Sequence, residues 1–232
     1  MKLLKNVIYH WKDVVSEDVQ EYILNQHLGP IKYEFASTRK PESNMIKNPI
    51  DVNSIKVQED FKKVILRPGI FQSVFVEEGE WEQKKESISK STLPPLDAVA
   101  NLMGFDYDLL KMKSNFNYKE TQKDTCFVPH CDLEGLGGWT LLYYINDSDG
   151  ESIIFKNKGI NYLTTGKELQ IKKTFFPKKG SMIMFNQDYL HAGCPPFKSD
   201  YRLVINYNIL IRNKMPIIKS DKNTSCCKSE NL

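Results

Sequence analysis

Within the stretch Phe127-Val128-Pro129-His130-Cys131-Asp132, an imidazole and a carboxylate stand two residues apart. In an extended segment, residues i and i+2 point to the same face, so His130 and Asp132 can bind one ion together while Cys131 points away. A metal needs more than two ligands, and the chain has four histidines. His191, in Asp188-Tyr189-Leu190-His191-Ala192-Gly193, follows the apolar run Ser181 to Phe185 and supplies a third donor. Two imidazoles and one carboxylate on one face of an octahedral ion leave three positions open, a donor set suited to non-haem Fe(II).

Those open positions need an oxidant and a source of electrons. A 2-oxo acid fits, chelating through its keto oxygen and adjacent carboxylate and leaving one position for dioxygen. Its distant carboxylate then needs a cation, and the planar fork of a guanidinium matches a carboxylate well. Arg202 stands at the start of a segment in which the even positions are Arg202, Val204, Asn206 and Asn208. The odd positions are Leu203, Ile205, Tyr207 and Ile209. A period of two with one polar and one apolar face predicts a strand that turns its polar side to a site and its apolar side to helices.

The elements that must position these residues follow from punctuation and period. Asn6 to Trp11 predicts a short strand, and Ser16 before Glu17 and Asp18 predicts a helix start, with acidic side chains at the positive end of the dipole. That helix runs to about His27, with Val19, Tyr22, Ile23 and Leu24 on its apolar side, and Gly29-Pro30 stops it. His27 reads as a surface or helix-end residue, and His10 is read in the same way. From Ala36 to about Asp60 the chain is polar and aperiodic, which predicts a loop-rich, lid-like insertion. Val64 to Leu66 and Ile70 to Val76 predict strands. The mixed-charge run Glu77 to Lys90 predicts a solvated surface with Trp81 as a packed residue or a substrate rim. Pro94-Pro95 opens a second helix, Leu96 to Met103, closed by Gly104. Beyond it, Tyr107–Tyr118, Thr125–Asp132, Trp139–Ile145, Ser152–Phe155, Leu169–Phe176, Ser181–Phe185 and Arg202–Ile211 are short β-rich runs between Gly, Pro, Asn and Asp turns, the pattern of a sandwich or barrel.

The whole chain bounds the reading further. At 232 residues it has room for one sizeable core. The expected organisation is a single domain over residues 1–212, with a core from about 107 to 212, helices and insertion over 1–106, and a disordered polar tail over 213–232. The 32 basic and 29 acidic residues nearly cancel, so no net field draws the chain to nucleic acid. No segment has the length of a membrane span or the pattern of a signal peptide, which predicts an intracellular, cytoplasmic protein. Five cysteines, Cys126, Cys131, Cys194, Cys226 and Cys227, lack the spacing of a disulfide framework and are expected to be reduced.

In its C-terminal half the sequence resembles the Fe(II)- and 2-oxoglutarate-dependent dioxygenases, and in detail their prolyl-4-hydroxylase-like branch. The resemblance is carried by an ordered set of residues: His130-Cys131-Asp132, Leu142-Tyr143-Tyr144-Ile145-Asn146-Asp147, Gly150-Glu151-Ser152-Ile153-Ile154-Phe155, Pro177-Lys178-Lys179-Gly180-Ser181-Met182-Ile183-Met184-Phe185, His191 and Tyr201-Arg202. It implies a mainly β protein with bracing helices around a double-stranded β-helix, a jelly-roll or cupin-like core. It implies His130, Asp132 and His191 as iron ligands, Arg202 as the partner of the 2-oxoglutarate tail, and Tyr143 as a hydrogen-bonding partner of that cosubstrate. Fe(II), 2-oxoglutarate and O2 are the implied cofactors, with ascorbate compatible as a reductant. The chain departs from the family at Ser152, where a threonine is usual, and in the longer polar link before His130. Asn115 and Tyr118 are further candidates for the pocket. The implied activity is hydroxylation of a peptidyl proline or a small amino-acid-like metabolite, with release of succinate and CO2. Asp132 disfavours halogenation, because it fills the position chloride would need; desaturation and ring closure use the same ligands. The rival classes are a non-catalytic metal-binding jelly roll and a nucleic-acid dealkylase on the same scaffold.

Overall fold

The computed structural model describes residues 6–36, 64–66, 70–77, 79–80, 92–120, 125–133, 135–159 and 168–214. Residues 37–60 of the expected insertion, residues 81–90 of the charged run with Trp81, residues 160–167 and the tail from 215 onward lie outside the described residues.

Two helices stand before a succession of strands. α1 (Glu17–Leu28) begins after Ser16, which sits at the cap position with extended backbone but without a side-chain capping bond. α2 (Pro94–Met103) takes prolines in its first turn, where no backbone donor is needed. Gly104 ends it in the left-handed conformation, φ 67°, its N–H reaching back to the carbonyls of Ala100 and Asn101.

The strands are β1 (Tyr9–Trp11), β2 (Glu34–Ala36), β3 (Val64–Leu66), β4 (Ile70–Val76), β5 (Phe105–Tyr118), β6 (Thr125–Phe127), β7 (Trp139–Tyr144), β8 (Ser152–Lys158), β9 (Ile171–Phe175), β10 (Met182–Asn186), β11 (Tyr189–Gly193) and β12 (Tyr201–Lys214). Seven form one sheet in the order β1-β10-β7-β12-β5-β4-β2, and β11-β8-β9 form a second. β3 and β6 make a short parallel pair. Two facing antiparallel sheets with helices against the larger are the expected jelly roll. The short strands β2 and β11 go beyond the runs that the sequence pattern marks out.

Alternation assigns each side chain to a layer. The odd residues of β12, Leu203, Ile205, Tyr207 and Ile209, pack with Leu141, Tyr143, Met182 and Met184 against Ile23 of α1 and Leu96 and Val99 of α2. The even face of β12 and β7 turns inward, where Leu142, Tyr144 and Val204 meet Ile154 and Tyr189 of the smaller sheet. Ile153, Phe155, Leu190 and Ala192 cover the outer side of that smaller sheet. The described cysteines Cys126, Cys131 and Cys194 are buried. No helix among the described residues is long and apolar enough to cross a membrane.

One expectation about a helix is corrected. His27 is 2% exposed, not a surface residue. Its position three and seven residues after Leu24 and Gln20 puts it on the face that α1 buries, and its ring meets Phe75 edge-on.

Candidate metal centre

The chain carries His130 to His191 by backbone pairing. Each donates its N–H to the other's carbonyl at 2.9 Å, an isolated antiparallel bridge that extends the smaller sheet by one residue pair. Residues in register on one face have neighbouring side chains, and the two imidazole centroids lie 4.5 Å apart. Asp132, two residues on, brings its carboxylate to the same point. One donor atom from each of His130, Asp132 and His191 lies within 4.8 Å of the others.

Both imidazoles are oriented from behind. The Nδ1 of His130 donates to the Val128 carbonyl at 3.0 Å, and that of His191 to the Tyr189 carbonyl at 3.2 Å. A carbonyl only accepts, so in the neutral ring the proton resides on Nδ1 and the Nε2 lone pair is left for an ion. The Oδ2 of Asp132 accepts from Thr140 Oγ1 at 2.8 Å and from Asn208 Nδ2 at 2.9 Å. Those bonds leave Oδ1 available, 3.8 Å from His130 Nε2.

Charge follows the same geometry. Desolvation, reinforced by His191, pushes the His130 imidazole down to about 4. Burial alone would raise the Asp132 carboxyl, but the two imidazoles, Lys113 and the Asn208 amide outweigh it and hold it well below the usual carboxylate range. A neutral His130 imidazole and an ionised Asp132 at neutral pH are the states a divalent ion requires.

Arg202 lies on the same concave face and is 4% exposed. Its guanidinium donates to Asn117 Oδ1 at 3.2 Å and Ser152 Oγ at 2.8 Å, both neutral acceptors. Its Nε has no partner, and among the described residues no carboxylate pairs with it. Burial costs a cation its hydration, which lowers its pKa and leaves a strong demand for an anion. The turn before β8 makes room for it: a Cβ on Gly150 would come within 2.5 Å of the Cys194 carbonyl and 3.0 Å of Arg202 Cδ.

The structure corrects the position of the tyrosine. Tyr143 is fully buried, but in the layer between the large sheet and the helices, on the opposite face of β7 from Thr140. Tyr144 points inward. Its hydroxyl lies beside Ser152 and Arg202 without a well-formed hydrogen bond, and burial pushes it up to about 12 although the guanidinium pulls it back. Asn115 also joins the concave face, accepting from Gln72 Nε2 at 2.9 Å. Tyr118 does not: it is 61% exposed on the convex side, packed on Phe71 and Phe116.

Thr140, Asn208, Asn117 and Lys113 are site residues that motif reasoning does not single out. For Asn208 a signal existed, the polar even face of β12. Ser152, a departure from the family pattern, is a direct partner of Arg202.

A two-histidine, one-carboxylate donor set and an unpaired buried cation on one wall fit an Fe(II) ion with a chelating dicarboxylate. Comparison with known proteins agrees. Residues 116–210 match the sequence model of the 2OG-Fe(II) oxygenase superfamily. No curated protein matches the chain. Among solved structures, the chain is similar to SnoN, a non-heme alpha ketoglutarate dependent epimerase from nogalamycin biosynthesis, at 12% identity and a TM-score of 0.52, covering 98% of this chain and 89% of that one. It is also similar to HygX from Streptomyces hygroscopicus with nickel and 2-oxoglutarate bound, at 10% identity and a TM-score of 0.50, covering 88% and 83%. The viral collagen prolyl hydroxylase of Paramecium Bursaria Chlorella virus-1 aligns at 15% identity and a TM-score of 0.44, covering 87% and 89%. At these identities the structural likeness concerns the fold.

Proposed function

We propose that this chain, which belongs to the 2OG-Fe(II) oxygenase superfamily and is a 2-oxoglutarate-dependent dioxygenase using Fe(II), 2-oxoglutarate and O2, hydroxylates an unactivated C–H bond of a peptidyl proline or a small amino-acid-like metabolite. Substrate, 2-oxoglutarate and O2 would be converted to the hydroxylated product, succinate and CO2. The bound iron and cosubstrate supply the oxidant that removes hydrogen from carbon.

The chain's own residues hold and shape that chemistry. His130, Asp132 and His191 hold the ion through two Nε2 atoms and one carboxylate oxygen, and Thr140 and Asn208 fix the other oxygen so that the carboxylate does not rotate away. Arg202 takes the distal carboxylate of 2-oxoglutarate. Ser152 and Asn117 hold the guanidinium in place by accepting from it, and Tyr144 takes the supporting place expected of Tyr143. Ile154, Phe185 and Val204 exclude water from the inner end of the site, where unproductive oxidation would otherwise compete.

The observation that carries this reading is Arg202, a buried guanidinium with neutral partners alone among the described residues, on the same wall as the triad. The test is succinate formation from 2-oxoglutarate with Fe(II) and air, in the wild type and in Asp132→Ala. Loss of a ligand carboxylate is expected to lower turnover by at least about three orders of magnitude. Full turnover in Asp132→Ala, or none in the wild type, would overturn the reading.

A further inference from the structure

Lys113 is a second cation in the site, and the proposed reaction gives it no task. It lies in the middle of β5, in register with Asn206 of β12 on one side and Val74 of β4 on the other. By alternation it shares the concave face with Asn115 and Asn117. Its charge is felt by both His130 and Asp132. Val74 beside it is 47% exposed, which puts Lys113 on the open side of the site rather than at its floor.

The nearby anions among the described residues are already engaged. Asp132 accepts from Thr140 and Asn208 and presents its remaining oxygen beside His130. Glu77 is paired with Lys111 at 2.9 Å. Among the described residues Lys113 forms neither a hydrogen bond nor an ion pair. The carboxylates of 2-oxoglutarate are accounted for as well, one at the metal and one at Arg202. Asn117, level with Arg202, is four residues from Lys113, about 13 Å of strand, so the two cations serve separate ends of the wall. With a divalent ion and a doubly charged cosubstrate in place, the described residues of the site keep one uncompensated positive charge, at Lys113.

We propose that Lys113 is the specificity-determining anchor for a carboxylate on the substrate, so that the oxidised molecule is an anion whose reacting C–H bond lies between that carboxylate and the metal. The Gln72–Asn115 pair on the same face supplies neutral hydrogen-bonding groups alongside it. This inference rests on the oxygenase reading of the site, and the experiment separates the two.

The protein is loaded with Mn(II) and 2-oxoglutarate, which holds the site without turnover. Its thermal transition is then followed with matched pairs of probes: L-amino acids and N-acetyl-amino acids, each against its carboxamide. Cosubstrate affinity is measured in parallel by titration. In the wild type at least one carboxylate is expected to raise the transition where its amide does not. Lys113→Met and Lys113→Gln are expected to weaken that carboxylate by about tenfold or more, as loss of a charge-assisted partner does, while Lys113→Arg keeps most of the response. Both uncharged variants should still bind 2-oxoglutarate, which also shows that they are folded. Amides as effective as carboxylates, no response from any pair, or an undiminished response in both uncharged variants would sink the inference. A loss confined to 2-oxoglutarate affinity would also sink it, by assigning Lys113 to the cosubstrate. Failure of the wild type to bind Mn(II) and 2-oxoglutarate at all would instead count against the oxygenase reading.

Discussion

The two faces of the seven-stranded sheet share one backbone and solve burial in opposite ways. On the convex face, Leu203, Ile205, Tyr207 and Ile209 of β12 remove apolar surface from water against two helices, the ordinary source of stability. On the concave face, one residue along, Arg202, Asn206 and Asn208 are just as buried but carry polar groups that burial penalises. Asn208 is compensated within the protein, through Asp132 and Thr140. Among the described residues Arg202 is compensated by neutral groups alone, with its Nε unpartnered and the neighbouring Tyr144 hydroxyl lacking a well-formed hydrogen bond. The convex face is thus held mainly by apolar burial, whereas the concave face keeps a buried cation that suits an anionic ligand.

Substitutions on the two faces should part stability from binding. Arg202→Met is expected to weaken 2-oxoglutarate binding by roughly two to three orders of magnitude, since losing one member of a buried charge pair costs about 2–5 kcal/mol. The ligand-free variant should be no less stable, because an unpaired buried cation has been replaced by an apolar side chain. Titration with 2-oxoglutarate and urea denaturation of the same preparation check both halves.

Ile205→Ala tests the other face. Truncating a fully buried isoleucine should cost about 2–5 kcal/mol of folding free energy by loss of transfer energy and creation of a cavity. Cosubstrate affinity in the variant should stay within about twofold of wild type, as expected for a site that the mutation does not touch. A parallel loss of affinity would show that the faces are not separable.

pH sharpens the contrast through His27 on the helix side. Burial depresses its pKa from 6.5 to about 4, so between those values the unfolded chain binds the extra proton. Stability is fully present above pH 6.5 and falls as pH drops toward 4, with about 2 kcal/mol lost by pH 5. Urea midpoints at pH 7 and pH 5 for wild type and His27→Gln should show that increment in the wild type alone.

The smallest effect is the most direct comparison. Tyr144→Phe should raise the 2-oxoglutarate dissociation constant by several-fold, the worth of about 1 kcal/mol for one hydrogen bond. Tyr143→Phe, one residue earlier on the opposite face, should leave that constant unchanged and register only in denaturation.

Tyr143 and Tyr144 also show where legibility ended. In β12, polar and apolar residues alternate, so the site-facing side is readable from the sequence, and Arg202 stands where that reading puts it. In β7 both faces are buried, and the run Trp139 to Tyr144 presents bulky residues to each. With no polar period to orient it, the choice between adjacent tyrosines depended on a family likeness and fell one residue short. A shift of one residue on a strand moves a side chain to the other face. His27 was misjudged for a related reason: a lone polar residue at a helix end looks solvated until the packing partner, Phe75, is known.

What the sequence determined by itself is the chemistry on offer and the local geometry that presents it. His130 and Asp132 share a face because strands have a period of two, and His191 and Arg202 are marked by the apolar and alternating runs around them. Tertiary structure decided the rest. The pairing of His130 with His191, the bond from Asn208 to Asp132, the contacts of Arg202 with Asn117 and Ser152 and the register of Lys113 with Asn206 and Val74 all join residues tens of positions apart. Such contacts are set by sheet register and by the packing of one sheet on another, and no local period encodes them.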